Sequence, residues 1–155
     1  ETSSTPSVLS LSRQGLPCLR TEHTDENLSS KGGYVLAEAE AKRDVTLIAS
    51  GSEVEIAMEA RDQLKAEGVS AAVASMPCLD KFEEQSQDYR EQVIQSETPI
   101  VVVEAAIDLS WGKYLGKNGK FVGMKAFGAS APANELYEHF GITSQNVVNA
   151  VKDIV

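Results

Sequence analysis

The sequence contains only two cysteines, Cys18 and Cys78, among 155 residues. They form no C-x-x-C pair, and no histidine lies near either of them at ligand spacing, which excludes a thioredoxin-type motif and a zinc site. We predict that both cysteines are free thiols, because a domain with a hydrophobic core does not need a disulfide.

Clusters of basic residues and long hydrophobic runs are also missing. The 14 lysines and arginines are scattered among 23 acidic residues, and the net charge of −9 argues against a nucleic-acid partner. The longest apolar runs, such as residues 100–103, are far too short to span a bilayer, and no signal peptide opens the chain. We therefore expect a cytoplasmic protein that contacts neither nucleic acid nor membrane.

The apolar content suits one α/β domain with a short appendage. Hydrophobic residues make up 42% of the chain, which is enough for a core. Residues 8–11 form a short apolar run that predicts a strand, whereas residues 14–30 have no helical or strand period and are typical of a linker. We predict a division into residues 1–13, 14–30 and 31–155. Because the first residue is Glu1 and not Met, we expect a piece of a longer protein.

Strands and helices alternate in the regular part of the chain. Apolar runs predict five strands, at residues 34–36, 45–49, 71–74, 100–103 and 121–124. Ser52 and Glu55 have the spacing of a capping box at the start of the first helix, and Thr143 is expected to cap the last one. This order predicts a three-layer α/β/α fold around a mainly parallel mixed sheet of about five strands.

Two predicted strands are followed by residues with possible functions. Residues 49–53 (A-S-G-S-E) form a strand-to-helix turn, which can hold a phosphate on free backbone N–H groups. Glu53 and Glu55 would repel an anion there, so we favour a simple helix cap. Glu104 ends a strand where open sheets bind ligands, and it is either a general base or a partner of a nearby loop. We favour the second role, because no other catalytic group is adjacent in sequence.

The remaining candidates are aromatic residues and histidines. Trp111 and Tyr114 are either an aromatic platform for a ligand or residues that pack a loop onto a domain or partner surface, and we favour packing. His23 and His139 fit no Ser-His-Asp arrangement and are expected on the surface. The carboxylates show no metal-ligand spacing.

Arg13 directly follows the predicted strand at residues 8–11, and it would therefore stand at the carboxyl end of that strand. The planar fork of a guanidinium matches phosphate oxygens, which suits a phosphorylated substrate. An ordinary ion pair is the alternative for an arginine in such a position.

Seven short motifs together resemble the transketolase family. They are L-S-L-S-R-Q at 9–14, G-G-Y-V-L at 32–36, A-S-G-S-E-V at 49–54, S-M-P at 75–77, Y-R-E at 89–91, V-E-A at 103–105 and F-G-A-S-A-P-A at 127–133. Each motif is weak alone, but their order and spacing cover almost the whole chain. The nearest alternatives are a deoxyxylulose phosphate synthase or a pyruvate dehydrogenase β subunit, which the first and last motifs disfavour. A free-standing anion-binding or interaction module is an alternative from another class.

The resemblance implies a parent enzyme that transfers a two-carbon ketol unit between phosphorylated sugars in the pentose phosphate pathway. Residues 31–155 would be its C-terminal domain, and residues 1–13 the last strand of its pyrimidine-binding domain. The family enzyme is a homodimer that holds thiamine diphosphate and a divalent metal, Mg or Ca, between its first two domains. This sequence has no G-D-G motif, so we expect no cofactor in this chain and no catalysis by it alone.

The resemblance assigns one site residue in this chain. In the family, the arginine of L-S-R-Q binds the sugar phosphate of the substrate, and Arg13 matches it. No catalytic, cofactor-binding or metal-binding residue is carried over, and the expected role of the chain is structural.

Overall fold

Five strands form one mixed sheet in the order β1-β3-β2-β4-β5 in the computed structural model, which describes residues 6–155. The strands are β1 (Tyr34–Ala37), β2 (Val45–Ala49), β3 (Ala71–Ser75), β4 (Ile100–Glu104) and β5 (Lys120–Gly123). The pairs β2–β3, β2–β4 and β4–β5 are parallel, whereas β1 pairs antiparallel with β3 at one edge. The predicted mainly parallel mixed sheet of about five strands is confirmed.

Six α-helices accompany the sheet within the described residues. They are α1 (Glu53–Ala66), α2 (Leu79–Glu83), α3 (Gln87–Ile94), α4 (Gly112–Leu115), α5 (Ala133–Phe140) and α6 (Ser144–Lys152), with short 3-10 helices at Leu28–Lys31 and Asp108–Ser110. Thr143 accepts a hydrogen bond from the backbone of Asn146, so the predicted cap of the last helix is confirmed. Across residues 6–155, no helix is long and apolar enough to cross a membrane.

The two central strands are covered by helices on both faces. Leu47 of β2 and Val101 of β4 belong to the core cluster that includes α1 and α6. Their neighbours Ile48 and Val102 belong to the opposite cluster, with side chains of α2 and α3. Successive strand residues point to opposite faces, so continuous apolar runs are what a doubly covered strand requires. Burying each such side chain contributes roughly 1.5–3 kcal/mol.

Two glycines allow β1 to enter close to α2. Gly32 has a φ of +80°, and a Cβ at this position would lie 2.3 Å from the carbonyl oxygen of Cys78. A Cβ on Gly33 would lie 2.4 Å from the sulfur of Met76. Any other residue would displace backbone or core atoms, which gives the G-G pair before β1 a steric reason.

Residues 8–11 form no strand within this chain, and their assignment to a strand of a preceding domain stays a prediction. This segment pairs with no strand of the described residues, and Val8 and Leu9 are 95% and 81% exposed. A strand needs a neighbour to accept its backbone hydrogen bonds. The five strands of this chain form a sheet that does not include the segment.

A buried arginine supports the amino-terminal end of β2. The Arg43 side chain is only 2% exposed and forms two hydrogen bonds of 2.6 Å with the Glu38 carboxylate. A third nitrogen donates to the carbonyl oxygen of Val93, and Thr46 donates to that of Ile94. These two carbonyls lie in the last turn of α3, so Arg43 and Thr46 satisfy acceptors that the helix itself leaves open.

We predict that Arg43→Met lowers the free energy of unfolding by roughly 2–3 kcal/mol, because it leaves a carboxylate and a buried carbonyl without their partner. Urea denaturation provides the measurement. Lys65→Met is the matched control, since Lys65 pairs with Glu40 where both side chains are more than half exposed. It should cost less than about 1 kcal/mol. Equal losses in the two variants would contradict the structural role of Arg43.

Candidate functional site

The candidate site lies at the carboxyl ends of β2 and β4. Ala49 of β2 is opposite Val103 of β4 in the parallel register, so the next residues, Ser50 and Glu104, lie side by side. The chain crosses from β2 to β3 on one side, whereas β4 lies on the other side of β2. This reversal is the topological switch point, where open α/β sheets place their ligands.

Polar side chains from four elements meet at this point. The Ser50 hydroxyl donates to Glu104 Oε2 at 2.6 Å, and the Tyr137 hydroxyl of α5 donates to Glu53 Oε1 of α1 at 2.5 Å. The Ser52 hydroxyl lies 3.2 Å from the same Glu53 oxygen and 2.9 Å from the Tyr137 oxygen. The Glu53 carboxyl is close enough to Glu104 to influence its ionisation.

The electrostatics of the cluster follow from its burial. Glu53 is only 4% exposed. Burial raises the pKa of Glu104 to about 7, the Glu53 carboxyl acts in the same direction, and the Ser50 hydrogen bond opposes them. Burial and the bond to Glu53 raise the pKa of Tyr137 to about 12. Burial and a neighbouring carboxyl group both disfavour the charged form of Glu104, so this residue stays protonated up to about neutral pH.

An open groove lies beside this cluster. It measures about 600 Å³ and runs between α1, α5 and the segment at Gln14, Gly15 and Leu16. Ser52 and Tyr137 line it. Of the cluster, the hydroxyl-bearing residues Ser52 and Tyr137 thus border the groove, whereas Glu53 and Glu104 do not.

The structure contradicts one sequence prediction in this region and agrees with another. The predicted capping box is wrong: Ser52 has helical backbone angles, and its side chain accepts no hydrogen bond from a backbone N–H of the helix. Its hydroxyl contacts Glu53 and Tyr137 instead. Glu104 bonds to Ser50 in a nearby loop, as favoured from the sequence. Glu53 was missed as its neighbour, because contact between two elements is not visible in local sequence.

Most other candidates lie where the sequence placed them. Trp111 and Tyr114 are buried in the core cluster on the α2–α3 face, so the packing interpretation is confirmed. His23 and His139 are exposed. Both cysteines are exposed free thiols, as predicted.

Arg13 takes no part in the hydrogen bonds of the cluster. Its side chain is exposed, and it forms no hydrogen bond or ion pair with another residue of 6–155. The role of Arg13 in phosphate binding stays a prediction. No group of three or more His, Cys, Asp or Glu side chains within the described residues is arranged to hold a metal ion.

Sheet order, helix layers and a polar cluster at the switch point define an open-sheet α/β domain. The family model of the transketolase-like TK C-terminal domain matches residues 32–143. The chain belongs to the transketolase C-terminal domain family. It is 55% identical over 145 residues to a transketolase of Sinorhizobium medicae (strain WSM419), covering 93% of this chain and 21% of that protein.

Solved structures agree with this assignment. A transketolase variant from Pichia stipitis superimposes with a TM-score of 0.81 at 34% identity, covering 92% of this chain and 20% of that chain. The inactive β4 tetramer of a split-gene transketolase superimposes with a TM-score of 0.69 at 25% identity, covering 92% of this chain and 47% of that one. The chain thus spans about a fifth of the length of the curated relatives it matches. The two thiamine-enzyme alternatives are not favoured.

We predict that Glu104→Gln makes the domain more stable than wild type at pH 8 but changes little at pH 5. The folded pKa of Glu104, about 7, lies above its ordinary value of 4.5. The protonated form therefore favours folding, fully below pH 4.5, and this contribution is lost as pH rises through 7. Glutamine mimics the neutral acid, so the difference should reach roughly 2–3 kcal/mol.

Urea denaturation at the two pH values measures this effect. Glu59→Gln is the matched control, because Glu59 is an exposed carboxylate on α1 and should leave the pH dependence of wild type intact. If Glu104→Gln kept that same pH dependence, Glu104 would not be the titrating group.

Proposed function

We propose that this chain serves as the structural C-terminal domain of a longer enzyme that transfers a two-carbon ketol unit between phosphorylated sugars in the pentose phosphate pathway. The observation that carries this proposal is the family match over residues 32–143 in a chain that spans about a fifth of its transketolase relatives. Transketolases from Pichia stipitis are described in complexes with sedoheptulose 7-phosphate, xylulose 5-phosphate and fructose 6-phosphate. Phosphorylated sugars are therefore the substrates we propose.

We further propose that the chain has three parts, each with a different place in the full-length enzyme. Residues 1–13 are the last strand of the preceding pyrimidine-binding domain, residues 14–30 are the interdomain linker, and residues 31–155 are the C-terminal domain. The exposed apolar side chains of Val8, Leu9 and Leu11 support the first assignment, since such a segment suits a strand whose neighbours belong to another domain. The start of the family match at residue 32 supports the last.

The cofactor of the proposed enzyme is thiamine diphosphate with a divalent metal, Mg or Ca. When bound, it supplies the carbanion chemistry that transfers the ketol unit. The residues of this chain do not fit it: the sequence has no G-D-G motif, and residues 6–155 bring no three metal-ligating side chains together. We therefore place the cofactor on other domains of a cytoplasmic homodimer. The inactivity stated for the split-gene β4 tetramer supports a non-catalytic role for this piece.

We assign Arg13 to the phosphate group of the sugar substrate. It is exposed and directly follows the apolar segment that we place in the preceding domain. A guanidinium at the end of such a strand can bind two phosphate oxygens at once. The linker then joins this contact to the C-terminal domain.

In the full-length enzyme, we predict that Arg13→Ala raises KM for phosphorylated donors and acceptors roughly 10–100-fold. The loss of a charge-assisted, bidentate contact of about 1.5–3 kcal/mol accounts for this range. Steady-state kinetics with matched phosphorylated and unphosphorylated sugars provide the measurement. Unphosphorylated sugars should be little affected, because they never contact the guanidinium.

Arg20→Ala is the control for the loss of a nearby arginine. Arg20 belongs to the proposed linker, and its guanidinium lies 5.8 Å from the centre of the Tyr34 ring. This variant should leave the ratio between the two substrate classes unchanged. Equal effects of Arg13→Ala on both classes would mean that Arg13 forms a structural ion pair.

A further inference from the structure

Two loops at the carboxyl end of the sheet carry exposed apolar side chains. Leu109, in the loop after β4, is 83% exposed, and Phe127, in the loop after β5, is 98% exposed. The two strands are parallel neighbours, and the backbone N–H of Met124 donates to the carbonyl oxygen of Ala106 at 2.9 Å. The two loops therefore start side by side, at the same end of the sheet.

We call residues 105–110 and 125–132 together the loop surface. Charged residues are scarce there: they make up 24% of the whole chain, but residues 126–134 contain none and residues 105–110 only Asp108. Few charges around an exposed aromatic ring are typical of the centre of a protein–protein interface. Because the domain itself leaves Phe127 uncovered, this surface suits contact with another folded body.

The proposed linker runs along the same end of the sheet. Arg20 lies over the ring of Tyr34 in β1, and the residues just before it line a cavity with Ser75, the last residue of β3, and with the turn after β2. Gln14 borders a groove that Asn134, in the first turn of α5, also lines. Followed from Arg20 back to Gln14, the linker therefore crosses the sheet from β1 past β3 and β2. It reaches the helix that directly follows the loop surface.

The segment before Gln14 therefore leaves the domain beside the loop surface. Its side chains Val8, Leu9 and Leu11 are each at least 80% exposed, and the six residues from Gln14 to Val8 span at most about 20 Å when extended. The chain covers only 21% of a transketolase relative, so the proposed parent enzyme has further domains that can cover both apolar segments. The one body that would lie against both is the domain to which residues 8–11 belong.

We propose that the loop surface is the docking site for the preceding domain of the parent enzyme, and that Phe127 is its central anchor. The inference rests on the proposed function, which places residues 8–11 in that domain. The complementary surface is apolar and uncharged, and it adjoins the strand formed by residues 8–11. Docking joins the two domains at a second place besides the linker, and it thereby fixes the position of Arg13 between them.

Photo-crosslinking in the full-length enzyme identifies what covers the loop surface. The photoreactive residue p-benzoylphenylalanine in place of Phe127 should form a crosslink within one polypeptide, to a peptide that precedes residue 14. A denaturing gel and mass spectrometry of the digested band provide the measurement. The same replacement at Val155, which is exposed beside Lys120 at the opposite end of β5, is the control and should form no such crosslink. A crosslink from position 127 to a second polypeptide, or no crosslink, would overturn the proposal.

The variant Phe127→Ser separates docking from folding. In the isolated 155-residue chain it should unfold within roughly 1 °C of wild type, because the side chain contributes almost nothing to the core. In the full-length enzyme it should loosen the docked domains, so that proteases cleave within residues 14–30 roughly tenfold faster. Val155→Ser should leave that cleavage rate unchanged. An unchanged rate for Phe127→Ser, or a clear loss of stability in the isolated chain, would contradict the docking role.

Ketol transfer between phosphorylated sugars, measured on the same full-length enzyme, tests the proposed function separately. An active enzyme without the crosslink at position 127 would refute the docking site and leave the proposed function standing. A crosslinked enzyme without ketol transfer would refute the proposed function and leave the docking site standing.

Discussion

The burial of β2 and β4 on both faces is the constraint on which the rest of the structure depends. All five residues of β2 are buried, and so are four of the five in β4. A strand in this position requires one layer of helices on each side, and the chain supplies α1 and α6 on one face and α2, α3 and α4 on the other. The same arrangement brings the carboxyl ends of β2 and β4 next to each other.

Polar groups at the two ends of these strands are stabilised in different ways. At the amino-terminal end, Arg43 is paired with Glu38 and bonded to a helix carbonyl, so its charge is compensated. At the carboxyl end, the contacts of Glu53 and Glu104 include no such cation, and burial raises the pKa of Glu104 instead. The first arrangement is insensitive to pH near neutrality, whereas the second is sensitive to it.

The sequence predicted the parts of the fold that depend on local pattern. The β-branched run that became β4, the apolar run of β2 and the Thr143 cap needed only neighbouring residues. The proximity of Glu53 to Glu104 needed the strand order, since the two residues lie on different elements. The Ser52 capping box failed for a related reason: Tyr137, from a distant helix, contacts the hydroxyl that the local pattern assigned to the backbone. Residues 8–11 form no strand here because this chain offers them no neighbour.

The central claim is that residues 28–155 contain the whole doubly covered sheet and fold without the segment before them. Thermal unfolding of a chain that lacks residues 1–27, followed by circular dichroism beside the full chain, tests this directly. Leu19 packs against the core cluster as a partly buried residue and Arg20 lies over the Tyr34 ring, but neither is part of the sheet, so the account predicts one cooperative transition within about 5 °C of the full chain. A broad, non-cooperative transition, or no folded baseline, would contradict it and place the first segment in the core.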